Sequence, residues 1–240
     1  MLVFRSLLFN LVFYINLVLF LVLGFWFMFT PRSWSMAALQ TWARVSLWWM
    51  KLITGTTMQV RGREHIPLAG GLLAGKHQTA WDRFALLPLL ADPALVLIRE
   101  LTFIPVFGWF CLKFKMISVD RTAGPSALKK MIADAKLAVA SSRQVLIFPE
   151  GTRAAPGAVP DYKPGATALY TKLGVSCTPF ALNSGLYWPR REFIRRPGTI
   201  IVEFLPPIEP GLNRREFAAR LQRAIEEATD RLMSQAAQVN

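Results

Sequence analysis

The sequence is poor in several residue types on which whole classes of chemistry depend. Of 240 residues only two are cysteines, Cys111 and Cys177, and only two are histidines, His65 and His77. Two distant cysteines in apolar surroundings give no disulfide framework and no metal-ligand spacing. Neither thiol sits beside a histidine or a cationic loop that would activate it, so both read as buried and inert. Acid is scarce as well: 15 Asp and Glu against 28 Lys and Arg leave a net charge of +13, with a pI near 10.4. Such a chain seeks polyanions, either nucleic acid or anionic lipid. The positive charge is dispersed and no recognition motif accompanies it, which argues against a nucleic-acid partner. No internal repeat is present, which excludes solenoids and propellers.

Charge is missing altogether from residues 6–29. Leu11 to Phe29 is apolar except for Asn16, and as a helix rising about 1.5 Å per residue it would cover about 28 Å, close to the hydrocarbon thickness of a bilayer. A cleaved signal peptide is the competing reading. It is disfavoured because Arg5 is the only preceding cation, and Phe-Trp-Phe-Met-Phe occupies the place of the small residues a cleavage site needs. Arg32, Arg44, Lys51, Arg61 and Arg63 follow the run, which by the positive-inside rule puts the downstream chain in the cytoplasm. Residues 33–54 read as a second membrane element. Ser33, Gln40, Arg44 and Lys51 form one thin polar strip on a helix otherwise covered by Trp34, Trp42, Trp48, Trp49 and aliphatic residues, the pattern of an interfacial helix; the alternative is a helix packed on the rest of the protein. These observations divide the chain into a membrane-embedded helix pair over 1–55 and a second domain over 56–240.

The second domain alternates short apolar runs with amphipathic stretches, which predicts an α/β fold: a mixed, mostly parallel central sheet with helices on both faces. Strands are expected at 56–60, 70–74, 95–98, 116–119, 144–148, 175–182 (interrupted by Pro179) and 199–204. Leu128, Met131, Ile132, Ala135 and Val139 stripe a helix over 125–142. Asn213 with Glu216 makes a capping box that opens a C-terminal helix, with a tail from Gln235 to Asn240 expected to fray. Arg190, Arg191, Arg195 and Arg196 read as a solvated or headgroup-facing cluster.

The chemistry is expected where a strand hands over to a helix, at Lys76-His77-Gln78-Thr79-Ala80-Trp81-Asp82, because ligands of open α/β sheets bind at the carboxyl ends of strands. In one continuous helix the five-residue step from His77 to Asp82 leaves the side chains about 140° apart. They meet only if His77 lies in the loop and Asp82 in the first helical turn. There Asp82 would accept the proton on one imidazole nitrogen and leave the other as a base, with a substrate supplying the nucleophile. The bland alternative is a surface pair or a cap. A second loop, Phe148-Pro149-Glu150-Gly151-Thr152-Arg153, follows a buried strand; Gly151 permits φ > 0 or close approach of a ligand, and Thr152 and Arg153 can donate hydrogen bonds to a phosphate.

Four blocks together resemble the glycerophospholipid acyltransferase family, in particular its bacterial 1-acyl-glycerol-3-phosphate acyltransferases. His77-Gln78-Thr79-Ala80-Trp81-Asp82 is similar to the family's H-x4-D block, and Ile117-Ser118-Val119-Asp120-Arg121 to its second block. Phe148 to Arg153 matches the third, and Thr178-Pro179-Phe180-Ala181-Leu182-Asn183 resembles the fourth. The likeness covers about residues 56–207. It implies His77 as general base, Asp82 as its orienting group, and Arg121, Arg153, Glu150 and Gly151 around the acceptor's phosphate and glycerol. Pro179 would shape the acyl-donor side. Lys113 and Lys115 are additional cations beside that phosphate site. Val119 stands where the family's second block usually has a bulkier residue. The resemblance implies no metal and no prosthetic group, an acyl-ACP or acyl-CoA donor, a lyso-lipid acceptor and a place at the bacterial inner membrane. Two readings stay beside it: the same chemistry on a lyso-ornithine lipid or another lysophospholipid, and a non-catalytic protein that binds anionic lipid. Backbone amides near the His77 loop are candidate oxyanion donors.

Overall fold

The computed structural model describes residues 1–239. Helix α1 (Leu2–Leu23) runs into a 3-10 turn at Gly24–Phe29, and α2 (Arg32–Thr54) returns alongside it. The stretch Leu2–Phe29 is long and apolar enough to cross a membrane. The hairpin is tied at its open end by Arg5, whose Nε donates to the Ile53 carbonyl at 2.5 Å, and along its length by Asn16, whose amide donates to Ser46 Oγ at 2.8 Å. Arg5 therefore lies at the same end of the pair as Ile53. Counting cations before and after a single span does not describe a hairpin, so the flanking charges do not decide the side of the membrane.

Helix α2 combines the two alternatives its sequence offered. Ser35, Met36, Ala43, Ser46, Met50 and Thr54 recur at helical spacing and are buried, while Trp34 and Trp48 stay exposed. Trp42 instead packs among Phe13, Phe20 and Phe84. Gln40 is not on a solvated strip: its amide donates to the carbonyls of Leu87 and Leu90 at 3.3 and 2.8 Å.

Gly55 closes α2 in the left-handed conformation, and β1 (Thr56–Arg61) begins the sheet. It continues with β2 (Gly71–Gly75), β3 (Pro93–Ile98), β4 (Ile117–Val119), β5 (Gln144–Ile147), β6 (Cys177–Leu182) and β7 (Gly198–Phe204). Their order is β1-β7-β6-β2-β5-β3-β4, with every neighbouring pair parallel except β6 with β7. Side chains alternate across a strand, and the core divides accordingly. Leu73 and Leu146 face the layer that holds Phe9, Met50 and Trp81. Leu72, Ala74, Val145 and Ile147 face α5 (Gly124–Ala140), α6 (Gly165–Leu173) and α7 (Arg214–Val239). Burial on both faces explains why these strands read as unbroken apolar runs.

Three local expectations need correction. Pro179 does not interrupt its strand. Its carbonyl accepts from Leu205 N at 2.9 Å, so its missing N–H falls on the same edge, just before the β7 ladder begins at Phe180. The chain end from 235 to 239 stays helical because Ala236 is buried and Gln235 Oε1 accepts from Arg61 at 3.1 Å; Asn240 lies outside the described residues. In the basic cluster, Arg195 is buried, with its guanidinium 4.4 Å from the centre of the Trp188 ring. Burial pulls its pKa down to about 10.

Candidate active site

His77 follows β2 in an extended loop, and Asp82 lies in the first turn of α3 (Trp81–Ala85). Nδ1 of His77 is 2.9 Å from Asp82 Oδ2, and both side chains are fully buried. That oxygen also accepts the backbone N–H groups of Gln78 and Thr79 at 2.7 and 2.8 Å. Its twin Oδ1 accepts the hydroxyls of Thr79 and Ser184 at 2.9 and 2.5 Å. A carboxylate surrounded by donors fixes the imidazole with its proton on Nδ1 and its lone pair on Nε2. Nε2 has no partner among the described residues. The ring stacks on Phe148, centroids 4.1 Å apart and planes 21° apart. The amides of Gln78 and Thr79 are thus committed to Asp82 and are not free to form an oxyanion hole, which narrows the donors this loop can offer.

Burial lowers the His77 pKa below the usual histidine range; the hydrogen bond and charge of Asp82 oppose this, while Arg83 and Arg153 add to it. With only two histidines in the chain, ring NMR resolves this directly: the His77 resonance is expected to titrate below the ordinary value of about 6.5. The sign follows for stability. The unfolded chain binds this proton more readily than the folded one, so the contribution of neutral His77 is complete above pH about 6.5 and declines as pH falls below it.

The second loop approaches His77 from β5. Ala154 N donates to the His77 carbonyl at 2.8 Å, and Arg190 Nη1 to the Arg153 carbonyl at 2.7 Å. Gly151 has φ 65°, a conformation that disfavours any side chain, and its carbonyl accepts from Arg121 Nη2. Asp120 caps the turn that presents Arg121, accepting the Thr122 hydroxyl and amide at 2.6 and 2.9 Å. These bonds and that from Arg99 hold its carboxyl down at about 2. Thr152 is exposed and Arg153 half-buried, and no acid pairs with Arg121 or Arg153 among the described residues. Glu150 instead turns to Lys76, 3.0 Å away; burial raises its pKa and Lys76 lowers it.

The remaining expected residues lie elsewhere. Lys113 Nζ donates to the carbonyls of Met28 and Thr30 at 3.0 and 2.5 Å, so it fastens the hairpin tip rather than an anion. Lys115 is exposed, at φ 50°. Pro179 is buried within β6.

Several groups escaped sequence reasoning. Lys76 is buried between Glu150 and both oxygens of Glu226, the latter at 2.9 Å, and Tyr162 donates to Glu226 at 2.8 Å. This chain of charges locks α7 to the loops of His77 and Glu150. Arg83 makes no hydrogen bond or ion pair among the described residues, and it lines an apolar cavity of about 300 Å³. Burial lowers its pKa, and Arg153 and Arg121 repel it. The cavity runs from Ala80, Arg83 and Phe148 to Leu17, Phe20 and Trp42 of the hairpin, so it shares the Phe148 wall with His77. Position after Asp82 was the one signal for Arg83; none marked Glu226.

A buried imidazole–carboxylate pair beside unpaired guanidinium groups and an apolar cavity is the equipment of a transferase that handles an amphiphilic anion. The family model described as Acyltransferase matches residues 57–183, and this chain belongs to that family. Among its relatives, the 1-acyl-sn-glycerol-3-phosphate acyltransferase of Pseudomonas aeruginosa is 36% identical over 186 residues, covering 77% of this chain and 72% of that one. The mouse 1-acyl-sn-glycerol-3-phosphate acyltransferase alpha is 28% identical over 169 residues, 69% of this chain and 59% of the mouse protein. The crystal structure of the 1-acyl-sn-glycerophosphate acyltransferase PlsC from Thermotoga maritima aligns with a TM-score of 0.77 over 95% of this chain and 98% of that one, at 22% identity, so the fold is shared.

Proposed function

We propose that this enzyme moves a fatty acyl chain from acyl-ACP or acyl-CoA to the free sn-2 hydroxyl of 1-acyl-glycerol-3-phosphate, giving phosphatidic acid. The observation that carries the reading is the partnerless Nε2 of His77, on a ring that Asp82 holds through Nδ1 at 2.9 Å. Nε2 takes the acceptor's hydroxyl proton as the oxygen attacks the thioester carbonyl. The tetrahedral intermediate collapses, the C–S bond breaks, and the imidazolium returns the proton to the departing thiolate. No acyl-enzyme is required, because a thioester is already activated. The general base supplies about 10²–10⁴-fold, and positioning and oxyanion donors supply the rest. Arg121 and Arg153 hold the phosphate, with Gly151 and Thr152 beside them and Arg83 as a third guanidinium; their mutual repulsion is relieved when an anion binds. Residues 1–55 anchor the enzyme, and residues 56–240 act at the cytoplasmic face of a bacterial inner membrane, where both donors are found.

The test mixes the purified protein with acyl-ACP or acyl-CoA and measures thiol release with lysophosphatidic acid against other lyso-lipids. Fastest release with lysophosphatidic acid is expected. No release with any acceptor would leave the non-catalytic lipid-binding reading. Arg153→Ala is expected to raise KM for lysophosphatidic acid about ten- to a hundredfold, the scale of a charge-assisted hydrogen-bonded contact. Its carbonyl contact with Arg190 survives that substitution. An unchanged KM would point to an acceptor without a phosphate.

A further inference from the structure

The catalytic half carries an apolar surface of its own. Between β3 and β4 the chain makes a 3-10 turn at Arg99–Phe103 and the short helix α4 (Phe107–Lys113). Leu101, Phe107, Phe110, Cys111 and Phe114 from this segment line the apolar cavity. The outer side consists of Phe103, Ile104, Trp109 and Leu112, which are 67, 47, 49 and 67% exposed. A one-residue turn joins the 3-10 turn to α4: Phe107 N donates to the Pro105 carbonyl at 2.7 Å across Val106, at φ 64° and ψ −54°. Gly108 then lets the helix approach the preceding turn, since a Cβ there would lie 1.9 Å from the Thr102 carbonyl oxygen.

This outer surface is continuous with the hairpin tip. The Trp109 ring lies 6.1 Å from Phe25, Lys113 is bonded to the tip's last carbonyls, and Trp26 and Phe29 of the tip are themselves exposed. Over 99–115 the only acid is Glu100, against Arg99, Lys113 and Lys115. An exposed patch of large apolar side chains marks an interaction site. Two tryptophans, flanking cations and continuity with a helix apolar enough to cross a membrane match the chemistry of a bilayer with anionic headgroups.

We infer that residues 99–115 form a second membrane-insertion surface, seated in the bilayer together with the hairpin tip, and that this segment is the door through which a lipid tail enters the cavity sideways. The membrane contact stands on the surface alone; the role as a door rests on the proposed acyl transfer.

Two measurements test it on the full-length protein. A fluorophore attached through Leu112→Cys is expected to be quenched by brominated acyl chains in phosphatidylethanolamine–phosphatidylglycerol vesicles; both native thiols are buried, which directs the label to residue 112. Absence of quenching would overturn the membrane contact. The double variant Trp109→Glu/Leu112→Glu is expected to lose about tenfold or more of its thiol release with vesicle-borne lyso-lipid. It should stay within about twofold of the parent on a short-chain, water-soluble acceptor and acyl thioester, with an unchanged Tm. Equal loss on both substrates would overturn the door, as would full activity on vesicles. A parent that sediments as a dimer and a variant that sediments as a monomer would assign the surface to a second copy instead. If the parent releases no thiol on either substrate, the acyl-transfer reading fails and the door with it, while quenching still decides the membrane contact.

Discussion

His77→Ala is expected to cut thiol release by about 10²–10⁴-fold, the scale of a lost general base, while the protein stays folded and bound to vesicles. The structure gives a reason for each half of this result. Only one imidazole nitrogen is free to take a proton, because Nδ1 is turned to Asp82 at 2.9 Å and Nε2 has no partner among the described residues. Removing the ring opens a small void against Phe148 but leaves Asp82 with four of its donors, the amides of Gln78 and Thr79 and the hydroxyls of Thr79 and Ser184. The loop therefore keeps its framework. The hairpin and its anchors at Arg5 and Asn16 lie on other elements, so flotation with vesicles should not change. His65→Ala serves as the matched control: it removes the other histidine of the chain and should leave turnover intact. Full turnover in His77→Ala would remove the imidazole from the reaction, and equal loss in both variants would mean that the assay reads folding.

The parts of this site that were legible in the sequence are those fixed by local geometry. The step from His77 to Asp82 can close only across a loop-to-helix junction, and the chain makes that junction at Trp81. Gly151 could be read because a backbone at φ 65° leaves few other residues possible. What could not be read are contacts made by long side chains across the fold. Lys76 reaches Glu226, 150 positions away, on a helix whose amphipathic stripe says which face is buried but not which acid points at which loop. The sequence places Lys113 among the phosphate cations because a flexible ammonium carries no mark of its partner; the carbonyls of Met28 and Thr30 at the end of the hairpin tip capture it. Arg195 reads as solvated by composition, yet its guanidinium lies over the Trp188 ring. The mixed sheet with helices on both faces was legible because Leu72-Leu73-Ala74 and Val145-Leu146-Ile147 are unbroken apolar runs, the mark of strands buried on both faces. The hairpin's orientation was not, because the positive-inside rule assumes one span with separate ends.

Asp82→Asn is expected to cost about 10²–10⁴-fold in kcat/KM with only a modest drop in Tm, and the contrast with Asp82→Ala shows why. An amide can sit in the carboxylate's place with its oxygen at the Oδ2 position, still accepting from His77, Gln78 and Thr79. Its NH2 then faces the hydroxyls of Thr79 and Ser184, which can rotate to accept. Most hydrogen bonds survive and the imidazole keeps its tautomer, so the fold should lose only about 1–3 kcal/mol. Alanine would strand two backbone amides and two hydroxyls in the interior, a cost of several kcal/mol that threatens the loop itself. What asparagine removes is the negative charge. The charge of Asp82, with its hydrogen bond, raises the His77 pKa against the effect of burial, so without the charge the pKa falls further and the base weakens. The imidazolium formed as the hydroxyl proton arrives also loses its counter-ion. The acid limb of the kcat/KM profile should therefore move to lower pH in Asp82→Asn while its plateau drops. A limb that moves to higher pH, or a plateau equal to the parent's, would show that the carboxylate orients the loop and does not act on the base.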